Sequence, residues 1–154
     1  MIREYRSIDK SSWPAGPWHA EPDKIHWIDA ATDMDCLMHR NASGAWCGYV
    51  AVAEGHPAFE RSYHDLDLDV HGGLTYADFC QETTDERKGV CHVPFAGRPH
   101  RVWWLGFDCA HAFDSMPSIA SYLPKSFHHD HDVYRDRAYV EGEVRHLAKQ
   151  LAAL

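Results

Sequence analysis

The feature that most constrains this chain is the apolar run Val102 to Phe107, flanked by Arg101 and by Asp108-Cys109-Ala110-His111-Ala112-Phe113-Asp114. The run is too short for a helix and is rich in β-branched and aromatic residues, so it reads as a central strand covered on both faces. Directly after Phe107 the chemistry changes: Asp108, Cys109, His111 and Asp114 fall within seven residues. A strand of this kind must come to the surface there, and side chains at such an exit are held by the scaffold while remaining open to ligand. The candidate site is therefore placed at the exit.

A chain of 154 residues fits one domain, 1-154, with residues 1-23 as an extended N-terminal arm. The arm is rich in Pro and Gly and is expected to be pinned by Trp13 and Trp18. Asp35–Arg40 and Ala45–Ala53 flank the polar tip Asn41-Ala42-Ser43-Gly44, the pattern of a β-hairpin. Lys24–Ala30 reads as a short strand or a turn, interrupted by Thr32-Asp33. Asp65–Val70 alternates acid and aliphatic residues and predicts a strand with one buried face, followed by a bulge or a close backbone approach at Gly72-Gly73. Residues 115–132, including the run His128–Asp132, read as loop with a turn near Ile119–Tyr122.

Val140, Val144, Leu147, Leu151 and Leu154 recur at spacings of four, three, four and three, which predicts an amphipathic helix capped by Asp130 or Asp132. The sum is an α+β fold, a mostly antiparallel sheet with a long C-terminal helix packed on one face.

The formal charge of −8, with few and scattered basic residues, excludes nucleic acid as the default partner. No apolar run approaches the ~20 residues that cross a bilayer, and the opening residues lack the core of a signal peptide, so no membrane is expected. Five cysteines without a Cys-x-x-Cys pair predict free thiols and a cytoplasmic location. Thirteen histidines are the compositional anomaly: their full protonation would carry the formal charge from −8 to +5, so solubility should be poorest in mild acid.

Several motifs occur together: Trp46-Cys47-Gly48-Tyr49-Val50 followed by Gly55-His56-Pro57, then Val70-His71-Gly72-Gly73-Leu74-Thr75-Tyr76, the run Trp103 to His111 with Asp114, and Tyr134-Arg135-Asp136 with Tyr139-Val140. In this order, over roughly residues 21–152, the chain resembles a family of small uncharacterised bacterial and phage proteins. The resemblance implies no activity. The family usually reads Ala-His-Ala-Gly-Asp where this chain has Ala110-His111-Ala112-Phe113-Asp114, so a bulky ring replaces a flexible turn beside Asp114.

Three chemistries compete for these residues. His71, Asp108, His111 and Asp114 could hold a divalent metal, because neutral imidazole and ionised carboxylate both donate lone pairs and an open position can activate water. In the competing structural reading, Asp108 and His111 cap the turn and His71 bonds a backbone carbonyl. Cys109 could act as a nucleophile activated by His111 or His71, with Asp108 or Asp114 orienting the base and Gly72 and Gly73 donating to an oxyanion; alternatively it is a small buried hydrophobe.

Cys80, Cys91 and His92 could bind zinc, although ten residues separate the two cysteines instead of the usual two to four. The His128–Asp132 run can chelate a metal but reads first as a solvated helix start. Trp103 and Trp104 point to opposite faces of their strand and read as core, with one able to stack on a planar ligand. The His71-Gly72 step is also similar to the nicotinamide-binding strand of toxin ADP-ribosyltransferases, but no matched glutamate motif follows and that reading is set aside.

Two functions follow: a protein that binds a small molecule or a protein partner through a His/Asp/Trp pocket, and a small metal-dependent hydrolase acting on a compact polar substrate, with Cys-dependent acyl transfer a third. The cofactor is unspecified beyond a possible divalent metal.

Overall fold

In the computed structural model, which describes residues 1–81, 85–120, 122 and 131–154, six strands form one antiparallel sheet. They are β1 (Ile2–Tyr5), β2 (Lys24–Ile28), β3 (Asp35–Arg40), β4 (Trp46–Ala53), β5 (Tyr76–Asp78) and β6 (Val102–Asp108), in the spatial order β1-β2-β3-β4-β6-β5. One helix, α1 (Arg137–Ala152), packs across β3 and β4. The architecture is α+β, as the residue pattern predicts.

The hairpin forms where its tip signals it. Asn41 Oδ1 accepts from the backbone N–H groups of Ser43 and Ala45, closing the turn, and Arg40 pairs with Trp46 across it. β6 is not central but second from the edge. It pairs with β4 along its whole length and with the short β5 over Trp104–Gly106. Both of its faces are nonetheless covered, because a second layer lies on the sheet opposite the helix. Leu105, Phe107 and Cys109 join the core beneath α1, whereas Val102 and Trp104 join Leu37, Tyr49, Ala51 and Val90 on the other side. That second layer comes from the irregular segment after β5, so an antiparallel strand acquires the all-apolar composition usual in parallel sheets.

α1 buries Val140, Val144, Leu147, Ala148 and Leu151, while Leu154 is exposed. Gly48 lets the helix approach the sheet, since a Cβ there would stand 2.5 Å from Val144 Cγ2. The cap is Asp136, whose side chain accepts from the N–H of Tyr139. Neither expected cap serves: Asp132 lies before the helix, and Asp130, with most of the His128–Asp132 run, falls outside the described residues.

Two further expectations are corrected. Asp65–Val70 forms no ladder. Its alternation is real, with exposed Asp65, Asp67 and Asp69 and inward Leu66, Leu68 and Val70, but the backbone of Asp69 bonds the side-chain amide of Gln150 on α1 instead of a strand (2.7 and 2.8 Å). The arm is likewise not wholly irregular, because Ile2–Tyr5 pairs with β2 as the sheet edge; Trp13 and Trp18 are buried as expected.

Candidate functional site

Three segments meet at the exit of β6. The first is the turn 70–73, closed by Gly73 N–H to Val70 O (2.9 Å), and tied to β6 through Thr75 N–H to Gly106 O (2.9 Å). The second is the turn 111–114, closed by Asp114 N–H to His111 O (3.0 Å), and the third is the first turn of α1 with the two residues before it. Gly72 is required here: its φ is +68°, and a Cβ would stand 2.3 Å from His111 Nε2.

Asp114 is the centre of the cluster. Its side chain is 1% exposed and accepts from His71 Nε2 (2.8 Å), from Arg135 Nε (2.9 Å) and from the backbone N–H of His111 (3.1 Å). Burial alone would push its carboxyl up, but these three donors outweigh it and hold the group below the ordinary carboxylate range. Because an ionised carboxylate only accepts, His71 Nε2 carries a proton. Its Nδ1 meets the hydroxyl of Tyr139 at 2.8 Å, and that hydroxyl also lies 3.3 Å from Glu143 Oε1. Burial and the Glu143 carboxylate push the Tyr139 phenol up, so it stays protonated. The result is a chain Arg135–Asp114–His71–Tyr139 whose buried middle is Asp114 and whose two ends reach solvent.

Asp108 and His111 form a separate pair. Asp108 accepts from the Ala110 N–H (3.0 Å) and the Thr75 hydroxyl (3.1 Å), and its Oδ1 is 3.2 Å from His111 Nε2. That last contact is an ion-pair distance without hydrogen-bond alignment. The imidazoles of His71 and His111 have centroids 6.0 Å apart. The four expected ligands thus come together as neighbours; His71, Asp108 and Asp114 turn their ligating atoms on neighbouring side chains and the backbone, whereas His111 Nε2 only stands near Asp108. Among the described residues no three His, Cys, Asp or Glu side chains are arranged to hold a metal ion.

Cys109 is 1% exposed, sits in the core beneath α1, and burial pushes its thiol far up, so it is the small hydrophobe of the alternative reading. The zinc set does not form either: Cys80 and Cys91 are joined in a disulfide, and His92 is buried edge-on to Trp104. Only Cys36, Cys47 and Cys109 are free, all three buried. The expectation of five free thiols is therefore corrected, and the cytoplasmic reading loses the support it drew from them. The tryptophans also stand apart. Trp103 donates to Arg61 O and packs on Phe79, at the opposite end of β6 from Asp108, and Trp104 is fully buried on the other face.

Phe113 directly precedes Asp114. Its φ is +72°, the left-handed region, at the third position of the turn 111–114, where glycine is ordinarily needed. Asp114 is placed correctly all the same, and the ring is left 59% exposed. Val133, whose N–H donates to Phe113 O, is exposed as well, and so is Tyr139, which connects to the same turn through His71 and Asp114. Arg135, Tyr139 and Thr75 were not predicted as site residues. The motif around Tyr134–Val140 contained two of them, but nothing in the spacing ties them to His71.

Two surface clefts lie elsewhere. One of about 330 Å³ is lined by Asp33, Asp35, Val52, Arg98 and Val102 among others, and one of about 310 Å³ by residues of the arm, the hairpin tip and Arg87–Gly89. Among the described residues no helix is long and apolar enough to cross a membrane.

Fold and site together define an α+β protein with a hydrogen-bonded polar cluster around Asp114 and exposed Phe113, Val133 and Tyr139 on the segments that build it. No family model, curated protein or solved structure matches the chain.

Proposed function

We propose that this is a binding protein and that it engages a protein partner through the rim formed by Phe113, Val133 and Tyr139. The observation that carries this reading is Phe113. A bulky residue at positive φ costs about 1–2 kcal/mol, and a residue left 59% exposed recovers only part of that by burial. An aromatic ring held outward on a turn that Asp114 fixes is a preorganised anchor, the kind of residue that dominates interfaces. The cluster below serves as its support: Asp114 and Asp108 accept from His71, Arg135, Thr75 and backbone N–H groups, while His111 Nε2 stands buried beside Asp108 without a hydrogen-bond partner.

The test is capture from an extract of the source cells by wild-type protein, Phe113→Gly and Tyr139→Ala, each checked for unchanged folding. The reading requires a protein retained by the wild type and lost by both variants. An identical retained set for all three contradicts it. A thermal shift with small-molecule pools that disappears in Phe113→Gly would move the rim to a small-molecule ligand instead.

A further inference from the structure

We propose that the Cys80–Cys91 disulfide is a reversible clamp whose reduction uncovers Lys24. Lys24 lies on β2, 1% exposed, on the sheet face opposite α1. A buried ammonium must find partners, and this one takes them from a single loop. Its Nζ donates to the backbone carbonyls of Glu86 (2.7 Å), Lys88 (3.3 Å) and Cys91 (2.7 Å). The loop carrying those carbonyls is the one the disulfide closes. Its described part, 85–91, contains no strand or helix and inserts one buried side chain, Val90, into the second core. The bond from Gln81 N–H to Val90 O (2.9 Å) lies directly beside the disulfide and is fixed by it.

Both half-cystines are partly exposed and open to a small thiol. A dithiol attacks through its thiolate on one sulfur, forming a mixed disulfide and releasing the other cysteine. Its second thiol then displaces the first cysteine. The reagent loses two electrons and ends as a cyclic disulfide, while Cys80 and Cys91 take up protons as thiols. Without the clamp, the carbonyls leave as a unit and water replaces them around the ammonium, so loop opening and exposure of the Lys24 amine are one event.

The full chain is treated with an amine-acetylating ester before and after dithiothreitol, and acetylation of Lys24 and of exposed Lys149 is followed by mass spectrometry. Lys24 should label faster after reduction by at least roughly tenfold, with Lys149 unchanged, the helix signal retained, and protection restored on reoxidation. Cys80→Ser with Cys91→Ser should label at Lys24 without reductant. Equal protection of Lys24 in the reduced protein overturns the clamp, as does labelling that appears only together with loss of the helix signal.

Discussion

Asp114 shows how a residue's place can be expected from sequence while its bonding partners cannot. A carboxylate just beyond an apolar strand is expected near a site. Its partners are what decide its chemistry, and they come from sequence positions 71 and 135 that no spacing rule links to it. A metal ligand needs lone pairs turned toward a common point; here they are spent on an imidazole, a guanidinium and an amide. Asp114→Asn keeps the volume but replaces one acceptor oxygen by a donor facing donors. It should cost about 2–3 kcal/mol, the value of hydrogen bonds to a charged group, measured by urea denaturation. Loss of Cys109 as a candidate has an equally local cause. Burial, which a short strand exit does not reveal in sequence, pushes its thiol up and closes it to reagents.

At the scale of elements, α1 and the β3–β4 hairpin were legible because each carries its own periodicity and its own turn or face. The cap was not, since Asp130, Asp132 and Asp136 are equivalent in composition and only the start of the helix selects among them. Asp65–Val70 was misread for a related reason. Alternation reports which side chains face inward, not what the backbone bonds, and here Gln150 takes the place of a neighbouring strand. The helix contact gives two checks. Leu147→Ala, at a fully buried position, should cost about 2–5 kcal/mol. Gly48→Ala should destabilise through overpacking against Val144 and Phe107, by about 1–3 kcal/mol. An unchanged midpoint in both variants would remove the helix from the position described.

Across the whole molecule, the sheet carries two different layers, and only the helical one announces itself in sequence. The irregular layer bears the disulfide, Val90, His92 and Phe95, whose residues show no period to read. It also shapes the response to acid. Burial pushes His92 and His39 down to about 4, so their unfolded forms bind protons that their folded forms refuse. Their contribution is present above the unfolded value of about 6.5 and is lost as pH falls toward 4, at about 1.4 kcal/mol per pH unit for each group. Asp23, Asp35 and Asp114, all held low in the folded state, extend the loss below the ordinary carboxylate range. Urea midpoints between pH 7.5 and 4 should therefore fall continuously, roughly from pH 6.5 downward. A flat profile down to pH 4 would mean that the two imidazoles are solvated.

The central claim, that Phe113 is kept for binding and not for the fold, is tested most directly by the urea denaturation of Phe113→Gly. Glycine accepts the φ of +72° without strain but loses more chain entropy on folding, by about 0.5–1 kcal/mol. The net result should be a stability unchanged or raised by up to about 1.5 kcal/mol. A loss of about 3 kcal/mol or more, the cost of removing a core phenylalanine, would show that the ring belongs to the interior and would contradict the account.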